Sequence, residues 1–240
     1  MTMRLRTLVV GCLLCIANAA LAYPTRPVTI IVPQAPGGAN DTLARLVAGK
    51  LAEYWGSPVV VDFKPGRGVI VATQFVARSA PDGHVIGLVT SAHSINPALN
   101  PNLPYDTLRD FTGTARLGYN VIGIVVIPSL GVNSVKELID MARRKPDALS
   151  HGSNGVGTAA HLSAELFKSM TGTKMVHVPY KGGAPLYQDM LGGRVPVAFA
   201  IMQSAMPLVQ SGKLKALALT NPGRSNIFPE YPPIADTVPG

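Results

Sequence analysis

Two segments of this 240-residue chain combine glycine, small side chains and the expected start of a helix, the makings of a backbone anion cradle. The first is Pro33-Gln-Ala-Pro-Gly-Gly-Ala-Asn-Asp41 and the second is Ser153-Asn-Gly-Val-Gly-Thr158. In each, glycine lets the main chain approach a ligand, and the following helix offers N–H donors carrying a partial positive charge. Two such loops facing each other would hold a carboxylate from both sides. An exposed helix terminus contributes only about 0.3–1 kcal/mol. Charge-assisted backbone bonds, about 1.5–3 kcal/mol each, must therefore supply most of the affinity. Either loop alone is an ordinary strand-to-helix turn, so the anion reading rests on the pair. His161 falls in the first turn after the second loop, where its ring either donates to a ligand or bonds to backbone. Asp41 reads as an N-cap or loop brace before a ligand contact. Tyr180 and Lys181 stand at a strand end in Val178-Pro-Tyr-Lys-Gly-Gly183, where a cation would suit a second ligand carboxylate.

Motifs for covalent, metal or nucleotide chemistry are weaker. His151-Gly-Ser-Asn-Gly155 nearly matches the nucleophile elbow G-x-S-x-G, but His stands where the first Gly belongs. A hydrolase using Ser153 also needs a later acid and then a His, whereas His177 precedes Asp189. Histidines 84, 93, 151, 161 and 177 show no H-E-x-x-H or comparable ligand spacing, so no metal is expected. Gly152-Ser-Asn-Gly-Val-Gly157 is not G-x-G-x-x-G, and no phosphate-binding Gly-Lys-Ser/Thr run occurs, so no cofactor is expected.

Composition narrows the setting of these loops. Hydrophobic residues make up 47% of the chain and charged residues 14%, which excludes a disordered chain. The 24 Gly and 21 Pro argue against a helical bundle and for a loop-rich α/β or β protein. Arg4 and Arg6, an apolar stretch over residues 8–17 and Ala20-Leu-Ala22 form a three-part secretory signal, with cleavage expected after Ala22. The competing reading is a lipoprotein signal at Val9-Val-Gly-Cys12, whose apolar core would be only about six residues long. Cys12 and Cys15 both lie in this leader, so cleavage after Ala22 leaves a chain without disulfides or a Cys nucleophile. The formal charge of +8 includes only one dense basic run, Arg143-Arg-Lys145, at an expected helix end and without interleaved aromatics. No nucleic-acid partner is expected, while a modest positive field would attract small anions.

The elements that must position the loops follow from periodicity. Residues 28–32 (VTIIV) form a β-branched run fit for a buried strand, and 59–61, 85–90, 118–127, 176–180, 195–200 and 214–220 read as further strands. A helix is expected over 42–54, with Leu43, Leu46, Val47, Leu51 and Tyr54 on its apolar face and Asn40 or Asp41 as cap. A second helix runs to about Arg78. A third starts at the capping box Ser134-Val-Lys-Glu137 and stops before Pro146. A fourth covers 158–170, with Leu162, Leu166, Phe167 and Met170 aligned. Residues 96–104, with three Pro, are expected to be extended. Alternating strands and helices predict an α/β fold.

Taken together, the residues resemble the Bug-type extracytoplasmic solute receptors of tripartite tricarboxylate transporters. The resemblance is carried by Tyr23-Pro-Thr-Arg-Pro27, the 33–41 loop, Pro81-Asp-Gly83, Ile95-Asn-Pro97 and Leu103-Pro-Tyr-Asp106. It continues through Asp110-Phe111, His161-Leu-Ser-Ala-Glu-Leu-Phe167, His177-Val-Pro-Tyr-Lys-Gly182 and Gly212-Lys-Leu-Lys-Ala-Leu-Ala218. It implies a two-lobed α/β periplasmic binding protein of type II-like, Venus-flytrap form with the ligand cleft between lobes. Lobe 1 would comprise 23–120 and 221–240, and lobe 2 would comprise 121–220. The implied ligand-binding set is Gln34, Ala35, Gly37, Gly38, Asp41, Ser91, Ser153, Asn154, Gly155, Gly157, Thr158, His161 and Tyr180. The implied partners are a small carboxylate and the membrane permease subunits of the transporter, the receptor being a monomer in the periplasm without catalytic activity.

Two departures bear on ligand choice. Gly66-Arg-Gly-Val69 carries Arg67 where the family has a small residue, and Phe199-Ala200 lacks the family's acid. Family members also continue past the segment ending at Gly240, so an incomplete first lobe of lower stability is expected. Two other readings remain at this level: a secreted serine hydrolase using Ser153, and a sensor that binds the same ligand without transporting it.

Overall fold

A computed structural model describes residues 23–239. The expected secretory leader, with both cysteines, and Gly240 lie outside the described residues. The chain first runs β1 (Val28–Val32), α1 (Ala39–Trp55), β2 (Val59–Phe63), α2 (Ile70–Ala77), β3 (Val85–Gly87) and α3 (Ser91–Leu99). These strands make a parallel sheet of order β2-β1-β3, in which Val28 pairs with Val59 and Thr29 with Val85. A long exposed segment then leads into β4 (Ile122–Val126), α4 (Val135–Arg144), β5 (Ser150–Ser153) and α5 (Ala159–Thr171). β6 (Val176–Pro179), α6 (Gly183–Leu191), β7 (Val197–Ile201), α7 (Met202–Gln210) and β8 (Lys215–Leu219) follow. The second sheet has the order β6-β5-β7-β4-β8, with β4 antiparallel to β7 and β8. Two sheets with their own helices constitute the two-lobed α/β architecture.

The second sheet shows why the apolar runs are continuous rather than alternating. Every residue of β4 and β7 is buried, because both faces of the sheet are covered by helices. Ile124, Val126, Val197 and Phe199 pack with Leu138 and Ala142 of α4 and Ala164 and Phe167 of α5. Val125, Ala198 and Ala200 face the other way, onto Leu186 and Met190 of α6 and Met202 and Ala205 of α7. The Ser134 cap forms as expected: its hydroxyl accepts from the Glu137 N–H at 3.2 Å, while the Glu137 carboxylate accepts from Asn133 N at 2.8 Å.

Several expectations are corrected. α1 begins at Ala39 with Gly38 as N-cap, and it buries Ala44 and Ala48 while Leu46 and Tyr54 are 65% and 84% exposed. α5 likewise buries Ala160, Ala164 and Phe167 and turns Leu166 outward. Small residues four apart let a helix backbone lie close to a sheet, so the alanine stripe wins the inner face over the leucine stripe. Residues 96–99 are helical, not extended. Asn96 is buried and its amide donates to the Gly68 carbonyl at 2.8 Å, which holds the last turn despite Pro97. β3 stops at Gly87, and strand structure in β4 begins only at Ile122. Residues 221–239, assigned to lobe 1 in the sequence, pack on the second lobe. Leu219 bridges to Pro233, Phe228 and Tyr231 lie against the α6–α7 core, and Ile234 and Val238 against the α4–α5 core.

Candidate functional site

Between the sheets lies a cavity of about 990 Å³, and four helices begin on its wall. Ala39 and Asn40 open α1, Thr90 and Ser91 open α3, Thr158, Ala159 and Ala160 open α5, and Ile201 and Gln203 open α7. The starts of α1, α3 and α7 have no side-chain cap, which leaves the first N–H groups of α1 and α3, on Ala39 and Ser91, open to a ligand, whereas that of α7, on Met202, donates to the Val121 carbonyl at 2.8 Å. At α5 the Thr158 hydroxyl accepts from His161 N at 3.3 Å and donates to the Gly155 carbonyl at 2.8 Å. Among the described residues no acidic side chain borders this cavity, and Arg116 is the one charged residue on its wall. Aligned helix dipoles without a competing carboxylate make a field that favours an anion.

The sequence-derived residues divide into those that border open space and those that brace the loops. Gln34, Ser91, Asn154 and Thr158 line the main cavity. Gln34, Asn154, Gly155, Thr158 and Tyr180 line a second cavity of about 390 Å³. The Asn40 amide donates to Gln34 Oε1, which fixes the Gln34 side chain between the two spaces. Burial and a hydrogen bond donated to Asp189 at 2.7 Å push the Tyr180 phenol up to about 12, so it remains a donor at all physiological pH.

Ala35, Gly37, Gly38, Asp41, Ser153, Gly157 and His161 border neither cavity. Asp41 is the brace: its carboxylate accepts from Gly37 N at 2.8 Å and pairs with Arg45 at 2.6 Å. Ala35 N donates to the Lys181 carbonyl at 2.8 Å, which ties the first loop to the second lobe. Glycine is required where these loops meet. Gly37 has φ +85° and an added Cβ would stand 3.3 Å from the Ala184 methyl. Gly68 has φ +59°, and a Cβ there would overlap the Val156 carbonyl oxygen.

Behind the second loop lies a stack of three imidazoles that separate readings of each His did not reveal. The rings of His161 and His177 are 4.2 Å apart, and those of His151 and His177 are 5.0 Å apart. Gly157 N donates to His161 Nδ1 at 3.2 Å, and Ser153 Oγ lies 2.8 Å from His177 Nε2. Of the two readings of His161, this is the backbone-bonded one. Burial pushes His151 down to about 3 and His177 to about 4, with neighbouring charges adding, and it lowers His161 as well. Glu165 lies 3.7 Å from His161 and 3.8 Å from His151 but is paired with Lys168 at 2.8 Å. Ser153 is fully buried, so its contact with His177 holds the loop and does not present a nucleophile.

The sequence missed Thr90, Arg116 and Gln203 on the main cavity wall. Gln203 was hidden because α7 itself was unread. Arg116 lies in an exposed stretch without periodicity, and its signal was only that it is the lone charge between Asp110 and Lys136.

Comparisons with known proteins agree with this geometry. Residues 43–238 match the family described as tripartite tricarboxylate transporter family receptor. BugT of Bordetella pertussis is 36% identical over 220 residues, covering 91% of this chain and 68% of BugT. The chain thus spans about two thirds of the length of the curated relatives it matches. An R. palustris protein solved with adipate is 37% identical with a TM-score of 0.83, covering 91% of this chain and 74% of that one. MatC from Rhodopseudomonas palustris with bound malate is 29% identical with a TM-score of 0.84, covering 90% and 74%. Matched over most of its length in sequence and in fold, this chain belongs to the tripartite tricarboxylate transporter receptor family.

Proposed function

We propose that this chain is a periplasmic receptor that captures a small organic carboxylate and presents it to the membrane permease of a tripartite tricarboxylate-type transporter. The observation that carries the reading is the convergence of four helix starts on one cavity whose wall, among the described residues, holds no acidic side chain. A carboxylate there is held by backbone donors that need no proton transfer, so capture requires no chemistry. The adipate and malate bound to relatives are acids of this class. The secretory signal read in residues 1–22 supports a location where such acids enter. Closure of the lobes around the acid is the conformational change that a permease would read.

The test is a thermal melt of the purified protein against a panel of mono-, di- and tricarboxylates, amino acids and aromatic acids. One class is expected to raise the midpoint, by the equivalent of about 2.7 kcal/mol at 100 times Kd. A midpoint unmoved by every acid would overturn the reading. Ester turnover that disappears in Ser153→Ala would replace it with the hydrolase reading.

A further inference from the structure

Residues 113–120 form one continuous wall of the main cavity, and each of them is exposed. The segment is anchored at its ends. Phe111 packs on His93 and Tyr105 of the first lobe, with ring centroids 5.0 and 5.7 Å apart. Val121, 2% exposed, lies in the α6–α7 core of the second lobe. Between these anchors the chain belongs to neither sheet. Among the described residues, its hydrogen bonds over 112–121 are all made with the first turn of α7.

One of these bonds is the last rung of the β4–β7 ladder. Beyond the pair Ile122–Ile201, Met202 N donates to the Val121 carbonyl at 2.8 Å. α7 starts at Met202, so from there the backbone turns away and offers the segment no further peptide group. The Gln203 side chain takes its place. Its Oε1 accepts from Val121 N at 3.2 Å, and its Nε2 donates to the Tyr119 carbonyl at 3.2 Å. A primary amide carries an acceptor and a donor in one plane, as a peptide group does, so it extends the ladder beyond the end of the strand. The base beneath it is rigid. Met202 is fully buried, and Ser204 Oγ donates to the Ile201 carbonyl at 3.0 Å and lies 2.8 Å from the Tyr187 hydroxyl. Without the amide, residues 112–120 are an exposed stretch held only at its ends, free to sample many shapes.

Resting on the carboxylate-receptor reading above, we propose that Gln203 is the positioning residue of the main cavity: its amide holds the 113–120 wall against the second lobe and so sets the length of acid that the cavity accepts. Leu117 and Tyr119 are the large apolar side chains that this wall brings to the ligand. Fixed through Tyr119 and Val121, the wall fits an acid of one length and leaves a gap or a clash with others.

The probes are three straight-chain diacids, succinate, adipate and suberate, which differ only in the number of methylenes. Calorimetry on the purified protein should show one of them bound best. Gln203→Met keeps the length of the side chain and Gln203→Ala removes it, and both lose the amide. In both, affinity for the favoured acid should fall about tenfold, the scale of two ordinary hydrogen bonds, and the three affinities should converge. A general loss of stability does not alter the ratio between acids, so convergence reports the position of the wall. Hydrogen exchange of the ligand-free protein is the second readout. The Val121 amide should exchange about tenfold faster or more in both variants, while β7 and β8 keep their protection. Variants that retain the wild-type ratios overturn the proposal, even where their melting midpoints fall. Ratios that converge while Val121 exchange stays at the wild-type rate also overturn it, and make Gln203 a direct ligand contact. Wild-type protein that binds the three diacids equally, or binds another acid of the panel and none of them, overturns the proposal and leaves the receptor reading standing. Failure to bind any acid at all overturns the receptor reading and the proposal with it.

Discussion

At the scale of single residues, the glycine loop at 153–158 is supported by rings that must remain uncharged. His151, His161 and His177 are packed face to face, with Lys168 and Glu165 the charged groups nearest to them. In the unfolded chain each would take up a proton below about pH 6.5. In the folded chain burial holds His177 near 4 and His151 near 3. The unfolded state therefore binds more protons between these limits, so stability is full above about pH 6.5 and falls as pH drops toward 4. Protonation of His161 also sets an N–H against the Gly157 N–H that it now accepts, which loosens the second loop. The denaturant midpoint should decline steadily between pH 6.5 and 4. His151→Phe should flatten that decline, since both His151 ring nitrogens lack partners and an apolar ring loses no hydrogen bond. Parallel declines in the two proteins would refute the assignment. Each histidine was visible in the sequence, but their stacking was not, because 151, 161 and 177 belong to β5, α5 and β6 and meet only when that part of the sheet folds.

At the scale of elements, α1 and α5 share a plan that the hydrophobic pattern misrepresents. Both present leucines in a stripe, and both bury alanines instead. Ala164→Leu should overpack the sheet and cost about 1–3 kcal/mol. Leu166→Lys, on the exposed face, should change stability by no more than about 0.5 kcal/mol. Chemical denaturation of the two variants checks this, and a reversed order would restore the leucine face as the buried one. The helices absent from the sequence reading have a common cause. Pro97 lies within α3, Pro185 in the first turn of α6 and Pro207 within α7. In α6 the ring occupies a position where a missing N–H costs nothing. In α3 and α7 tertiary packing outweighs the lost bond: Asn96 anchors one, and Met202 and Ala205 are buried in the other.

Over the whole molecule, the two lobes are built to different depths. The first packs Ile30, Val32, Ala44 and Ala48 on one side of a three-stranded sheet and buries Ile31, Ile70, Ala72 and Ala92 besides, while the second encloses both faces of a five-stranded sheet. Val60, Val89 and Tyr119 are each at least half exposed on the first-lobe side of the molecule. Hydrogen exchange should therefore be faster in β1, β2 and α1 than in β4 and β7, by about tenfold or more, because less apolar burial opposes local opening. Equal protection in the two sheets would show that the first lobe draws stability from somewhere other than its own core. Addition of a bound acid should slow exchange most in the loops at 33–38 and 153–158, which approach each other across the cavity.

The amino-acid sequence determined the parts whose causes are local. Glycines at 37, 38, 155 and 157 declared two turns that lead into helix starts, because backbone conformation depends on a few adjacent residues. The apolar runs at 28–32 and 195–200 declared buried strands in the same way. Tertiary structure alone decided that four helix starts share one cavity, that His161 braces its loop, and that Arg67 and Lys181 face one space. The reason is topological. In the order β6-β5-β7-β4-β8, strands adjacent in space are separated by whole helices in sequence, and the first sheet brings its loops to the same cleft from the opposite side. No window of local pattern spans those distances, so the chemistry was legible in the sequence and its arrangement was not.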